Sequence, residues 1–395
     1  MAGKMTMYFK TIKKALDMKI RFLIILAIAF SFMACENQEN DFDDFGSTSV
    51  YFPFQTPARS LILGDYDLGF NDNDNNGRFE IGVTMSGVYE NKKNRLVYFE
   101  LAPELIDANL LGVDSVNVKI LPSAYYSLEQ TSPVTIPVGS TKGRIPVQLE
   151  DAFFDDPLSF AEFGEVHYVI PLRITDYEEL DSLLTGIPIV DNPVKIRNVD
   201  WNPLPKDYTL FGIKFMNKYE GAYLRRGEDK AVGTSTKVTT SNGNTVTTDI
   251  DTSTVYRDEF VARDEVTLVS TAGRNKAIST NLVRRGGIAS NSTVSLELTF
   301  NDNGEIIITN ADSDSNVTIT GSGKFIEDGD EWGGQKRNVI YLEYEYQDVE
   351  TVQEIRFSQV ISETTVDLFH QVKDTLVIRD RNVKFEEFIV ELSEE

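Results

Sequence analysis

VHYVIPLRIT, residues 166–175, is dominated by β-branched and aromatic residues, the composition of a strand. RLVYFEL (95–101), VTIPV (134–138) and GRIPVQL (143–149) carry the same signal. Helical periodicity surfaces only in PELIDANLLG (103–112) and YEELDSLLTG (177–186). Each is about ten residues long, which suits a connector rather than the crossover helix of a βαβ repeat. The chain reads as all-β.

Its 395 residues exceed one typical core, so two domains are expected. The break falls in VDWNPLPKDY (199–208), where two prolines two positions apart suit an extended linker, with Trp201 packed between the domains. Beyond it, KVTTSNGNTVTT (237–248) predicts a hairpin on Asn242-Gly243, and LTFNDNGEIIITN (298–310) predicts one on NDNG. NVIYLEYEYQ, EIRFSQVIS and DTLVIRDR add further strands. A meander this long must protect its edges, and closure is one solution. The expected architecture is an immunoglobulin-like β-sandwich over 47–198, a linker over 199–207, and over 208–395 an antiparallel β-barrel resembling lipocalins. A second sandwich is the competing form for the latter.

Upstream, MKIRFLIILAIAFSFMAC (18–35) has a basic start, an apolar run from Phe22 to Phe30, and small Ala34 before Cys35, the single cysteine. This is the plan of a secretory signal peptide, too short to span a bilayer comfortably. FMAC resembles a bacterial lipobox, which implies cleavage before Cys35 and acylation there. Residues 1–34 are then an extension plus signal peptide, with Met18 a candidate start. The acidic run that follows makes 35–46 a solvated tether; it resembles the surface-export signal of Bacteroidota lipoproteins, implying an outward-facing place on the outer membrane. Removing residues 1–34 takes six basic residues and one acidic one, leaving 32 Lys and Arg against 61 Asp and Glu, a net charge of −29. That excludes a nucleic-acid partner and a polybasic hold on lipid, so the membrane is reached through the anchor alone.

VYFPFQTPARSLILGD (50–65), GVYENKKNR (87–95), AYYSLEQTSPVTIPVGSTKGRIPVQLEDAFFDD (124–156) and YVIPLRIT (168–175) resemble an N-terminal domain of unknown function. It occurs in Bacteroidota lipoproteins encoded with polysaccharide-utilisation genes, and is similar to the module ahead of the catalytic barrel in some endo-β-N-acetylglucosaminidases. GKFIEDGDEWGGQKRNVIYLEYEY (323–346) and LVIRDRNVKFEEF (376–388) resemble the companion C-terminal domain of the same lipoproteins. The resemblance implies capture or handling of glycan beside an outer-membrane importer or a hydrolase of the same locus.

The residues offer little chemistry of their own. His167 and His370, the two histidines, lack a G-x-S-x-G elbow or an H-E-x-x-H pair, and read as structural or surface residues. EDGDEWGG (327–334) departs from the spacing of family-18 glycosidases, so no enzyme is expected; a glycosidase needs only two carboxylates and stays as the remote reading. Glycan binding asks for an aromatic face ringed by amides and carboxylates. Trp332 with Asp328, Asp330 and Gln335 is one candidate, and Tyr89 with Asn91 and Lys92 the other. Trp332 is either an exposed platform or packing beneath a turn.

Asp72, Asp74 and Asn76 before Gly77 match the first half of a calcium loop. The twelfth position is Val83 rather than Glu, and no helix is expected to flank it, which excludes an EF-hand. A non-helical calcium site and a plain polar loop between strands both stay open, and no other cofactor is implied. The expected function is a non-catalytic surface lipoprotein that binds glycan; the alternative is a structural or interaction subunit of an outer-membrane import complex.

Overall fold

The computed structural model describes residues 44–395 except 67, 108–110, 112–117, 285–293, 313–314, 316, 391 and 393–395. Cys35, the signal peptide and the tether up to residue 43 lie outside the described residues. What is described is all-β: a two-sheet sandwich and a barrel.

The first sandwich sheet runs in the order Ser182–Leu183, Ser49–Tyr51, Arg78–Ser86, Lys142–Leu149, Tyr126–Leu128. The second runs Glu386–Glu387, Pro57–Ile62, Tyr208–Met216, Tyr168–Glu178, Arg95–Leu101, Val134–Ile136. Alternation does what strand geometry requires. Phe79, Ile81, Val83 and Met85 of one sheet face Val97, Phe99, Ile170, Leu172 and Ile213 of the other in one core. YEELDSLLTG, expected to be helical, instead ends one strand and supplies the short Ser182–Leu183 strand beside Ser49–Tyr51. Edge pairing won over a weak helical period. PELI (103–106) does form one 3-10 turn.

The barrel is a closed ring of eight antiparallel strands. In ring order these are Gly221–Thr239, Glu265–Gly273, Lys276–Ser279, Leu296–Phe300, Glu305–Asn310, Ile319–Trp332, Gln335–Arg356 and Gln359–Asp380. Pairing of Gly221–Thr239 with Gln359–Asp380, in register from Tyr223 opposite Ile378 to Thr239 opposite Ser362, seals it. EIRFSQVIS is a hairpin tip rather than a strand of its own: 354–356 end one 22-residue strand, Phe357-Ser358 turn, and 359–362 begin the next. These two strands and Gly221–Thr239 outrun the ring. With Asn244–Tyr256 they form a projecting four-stranded arm. At the KVTTSNGNTVTT tip the closing pair is Thr239–Asn244, so the turn has four residues, with Gly243 alone at positive φ, rather than two.

The chain crosses between the two bodies later than the sequence suggests. Tyr208–Met216, expected to open the barrel, pairs in parallel with Pro57–Ile62 and antiparallel with Tyr168–Glu178 inside the sandwich. Residues 199–207 are therefore a sandwich connection. Trp201 packs within it, its indole N–H donating to the Val194 carbonyl at 2.9 Å and Lys195 lying over its ring. The true crossing is Asn217–Glu220, and the C-terminal segment returns to pair Glu386 with Ala58. There Glu386 meets Lys214 in a buried ion pair of 2.7 Å.

The barrel interior is apolar at one level and ionic at another. Tyr223, Leu296, Leu298, Ile340, Leu342 and Leu376 make the former. In the latter, Arg225 donates through Nε and Nη2 to the two oxygens of Asp374 at 2.8 and 3.0 Å, and Tyr344 donates its hydroxyl to the same carboxylate. Gly227 makes room: a Cβ there would lie 1.9 Å from Asp374 Oδ1. Burial pushes the Asp374 carboxyl up while the guanidinium opposes it. Burial alone would lower Arg225, but Asp374 more than offsets it and holds Arg225 above its usual value. The two-pronged fork, which needs a carboxylate acceptor, identifies the pair as ionised. His370 lies alongside, its Nδ1 2.9 Å from Asp229 and its ring stacked on Tyr346 at 4.4 Å.

Candidate functional site: a polar cleft at the junction

Where sandwich and barrel meet, a cleft of about 260 Å³ opens between three segments. The sandwich contributes Asp65, Tyr66 and Leu68; the barrel contributes Asp328 with Gln335–Asn338, and Ile378–Arg381.

Each segment is positioned by an identifiable device. The chain after Ile62 turns at Gly64, φ +80°, pressed against the crossing segment so closely that a Cβ would lie 2.4 Å from Lys218 Cβ. Only glycine tolerates both demands. Arg381, 7% exposed, clamps the same turn, donating to the carbonyls of Leu63, Asp65 and Asn217 at 2.7 to 3.1 Å. Burial lowers its pKa, outweighing the opposing pull of Tyr223, Glu220 and Asp65 nearby.

On the barrel side, Trp332 and Gln335 close a hairpin whose central residues, Gly333 and Gly334, both have positive φ, as a two-residue type I′ turn requires. Just below it the ladder jumps from Ile326–Val339 to Asp330–Arg337, so that 327–329 bulge opposite Asn338. The bulge puts Asp328 at φ +54° and turns it to the cleft, its N–H donating to Asn338 Oδ1 at 3.1 Å. Glu327 in the bulge pairs with Lys218 of the crossing segment at 3.1 Å, fixing the hairpin base to the junction.

Of the first candidate set, Asp328 and Gln335 line the cleft. Trp332 stands behind it, half-buried, with the Arg337 guanidinium 5.1 Å from its ring centroid. Arg337 in turn donates to Gln335 Oε1 at 2.9 Å, so the indole acts on the cleft through an arginine. Asp330 is exposed and accepts from the Glu331 N–H, outside the lining.

The second set is not brought to the cleft. Asn91 is 2% exposed and structural: it donates to the carbonyls of Pro137 and Ser140 and accepts from Arg95, leaving nothing for a ligand. Tyr89 and Lys92 are exposed but apart from the lining.

The calcium reading of Asp72, Asp74 and Asn76 meets a different geometry. Asp72–Asn75 is one α-helical turn, not a loop. Asp74 is buried, one oxygen accepting from Arg59 at 2.5 Å and the other from the Ile62 N–H at 2.9 Å. Its carboxylate is already neutralised by a guanidinium, and Asn76 donates its side-chain amide to the Asp72 carbonyl. The segment is a packed connection in which both Asp74 carboxylate oxygens are spent on the protein. Among the described residues no group of three or more His, Cys, Asp or Glu is placed to hold a metal ion, and no helix is long and apolar enough to cross a membrane.

Sequence reasoning missed Tyr66, Lys336, Asn338 and the Ile378–Arg381 segment. LILGDYD did carry a signal, a glycine between an apolar strand and an aromatic, but its partner lies more than 250 positions away.

Two family models match the chain. One, described as a domain of unknown function (DUF5627), covers residues 218–382, the barrel; the other, described as an N-terminal domain, covers 44–181. No curated protein matches. Among solved structures, a multidomain Bacteroides ovatus protein including DUF1735 is 13% identical over 85% of this chain and 96% of its own, with a TM-score of 0.36. An auxiliary nutrient binding protein from Bacteroides thetaiotaomicron is also 13% identical, over 83% and 95%, with a TM-score of 0.34. A Bacteroides ovatus protein of unknown function is 30% identical over 89% of this chain and 100% of its own, with a TM-score of 0.69. Similarity along that protein's whole length means that the chain belongs to the same family.

Proposed function

We propose that this is a non-catalytic glycan-binding lipoprotein, anchored through Cys35 to the outer membrane and facing outwards, where it serves an importer or hydrolase of the same locus. The observation that carries the binding role is the make-up of the junction cleft. Tyr66 offers an aromatic face; Asp328, Gln335 and Asn338 offer acceptors and amides; Lys336 and Arg337 offer donors. A pyranose needs that combination, an apolar face met by a ring and hydroxyls met by paired donors and acceptors.

Calorimetry of the full chain against a glycan panel tests the reading. Binding to at least one member is expected, with Tyr66→Ala and Gln335→Ala each weakening it about tenfold, roughly the 1.4 kcal/mol of one lost contact. Full affinity in both variants would remove the cleft from consideration. The same panel assayed for reducing ends is expected to show no turnover. For the anchor, Cys35→Ser should move the protein from the membrane to the soluble fraction, and persistence on the membrane would refute lipidation there.

A second reading, an interaction subunit of an import complex, is favoured by the projecting arm. Among the described residues, Asn244–Tyr256 is paired on one side only, and Phe357 at the neighbouring hairpin tip is fully exposed. A free strand edge is a ready template for another chain. Recovery of an importer with the full chain from solubilised membranes without glycan, lost in Phe357→Ser, would favour this role.

A further inference from the structure

A second groove, sharing no residue with the junction cleft, has the opposite chemistry. It measures about 400 Å³ and lies where Pro57–Ile62 and the returning C-terminal segment meet. Its walls include Phe52, Phe54, Phe211 and Phe385. Phe54 and Phe385 are 44% and 66% exposed at 5.2 Å between centroids, so a pair of rings stands open to solvent.

Two features say what would cover them. The ionisable residues of the lining are Arg59, Lys142 and Lys384, with no acid among them, in a chain of 62 acidic against 38 basic residues. Arg59 is committed to Asp74, and Lys384 lies over the Phe163 ring; among the described residues no carboxylate pairs with Lys142. Second, Thr209 in the lining is 1% exposed, and its hydroxyl has no hydrogen-bond partner. Buried polar atoms are normally satisfied, so this unpaired hydroxyl is an unusual feature of the groove wall. The lining holds no amide or carboxylate side chain to meet sugar hydroxyls, which sets it apart from a glycan site.

We propose that this groove binds an amphipathic carboxylate, an apolar body against the phenylalanines with its anionic head at the lysine rim. Apolar walls with few polar groups are the usual form of a small-molecule site of this size. The chemistry is shared by acyl and aryl acids, and the probes separate them.

The test is calorimetry of the full chain with decanoate and with 2-naphthoate, beside decanol and decyltrimethylammonium as neutral and cationic counterparts. At least one carboxylate should bind at micromolar concentration, about tenfold more tightly than decanol. Tighter decanoate assigns an acyl body and tighter naphthoate an aryl one. Lys142→Glu and Phe385→Ala, both at exposed positions, should each weaken that binding about tenfold with the thermal melt unchanged. Binding of neither acid, equal binding of decanol or the cation, or full affinity in both variants would overturn the proposal.

Discussion

The Arg225–Asp374 pair makes the sharpest quantitative claim about the barrel. Side chains 1% and 0% exposed have exchanged water for each other, joined by two charge-assisted hydrogen bonds. Asp374→Ala leaves the guanidinium buried with Glu265 4.0 Å away and the Tyr256 ring beneath it. Breaking a buried pair by removing one partner costs about 3–5 kcal/mol. Tyr344 loses an acceptor but has the Leu282 carbonyl at 3.4 Å, which limits its share to under about 1 kcal/mol. Approach of Glu265 recovers part of the loss, so a net cost of about 4 kcal/mol is expected. With an m-value of about 2 kcal/mol/M, the urea midpoint falls by about 2 M. Trp332 reports on the barrel in a Trp201→Phe background, so fluorescence follows that transition separately. Replacing both partners, Arg225→Met with Asp374→Leu, should restore most of the midpoint, because no charge is then stranded. A fall below about 0.5 M for Asp374→Ala would refute the buried-pair account, as would a double variant as weak as the single one.

Gly227→Ala reaches the same fork from the backbone side. The added methyl meets Asp374 Oδ1 at 1.9 Å and the Lys373 carbonyl at 2.7 Å, so the carboxylate must move, and a loss of about 2 kcal/mol or more is expected in the same urea assay. In the sandwich, Asp156 accepts from Tyr125, Tyr168 and the Leu158 N–H at 2.7 to 2.9 Å. Burial alone would raise its pKa, but these donors outweigh it and hold the carboxyl below its usual value. A depressed folded-state pKa adds stability that is present above the unfolded value, about 3.9, and lost as pH falls through the folded one. Asp156→Asn should therefore cost about 1–2 kcal/mol near neutrality, and the gap to the parent should close below about pH 4. A gap that is constant from pH 7 to pH 3 would show that the carboxylate is not the source.

Strand content was legible because alternation is a local property: RLVYFEL and GRIPVQL form strands where the pattern puts them. Barrel closure followed from the unbroken meander. What local pattern could not convey is which sheet a strand joins. Tyr208–Met216 is buried on both faces, with only Phe211 partly exposed, so its alternation is masked and its sequence fits either body. Parallel pairing with Pro57–Ile62, some 150 residues earlier, leaves no turn signature to read. The site was half legible for the same reason. Asp328, Gln335 and Trp332 share one hairpin and announce themselves together, whereas Tyr66 and Arg381 join them only through the fold. Asn91 misled because an amide in a polar loop looks free until its four partners are seen.

These long-range links also explain why the cleft sits at the junction rather than in the barrel mouth. An eight-stranded barrel has an interior just wide enough for side chains, and here Arg225, Asp374, Tyr344 and Tyr346 occupy it. A ligand must then find concavity outside, where two convex bodies meet. Such a seam is useful only if it is rigid, since a loose interface would spend binding energy on ordering itself. The chain supplies that rigidity by crossing twice. It leaves the sandwich after Met216 and comes back at Arg381, whose guanidinium joins the carbonyls of the 63–65 loop to that of Asn217. Further along, Glu386 neutralises Lys214 inside the sandwich. Arg274 reaches from the barrel to Asp151 at 2.8 Å on the sandwich side. Hinging of one body on the other would break the buried Arg381 contacts to the carbonyls, so Tyr66 and Asp328, neighbours only in space, keep their spacing. The junction is thus the feature that turns two separate β-folds into one preorganised cleft.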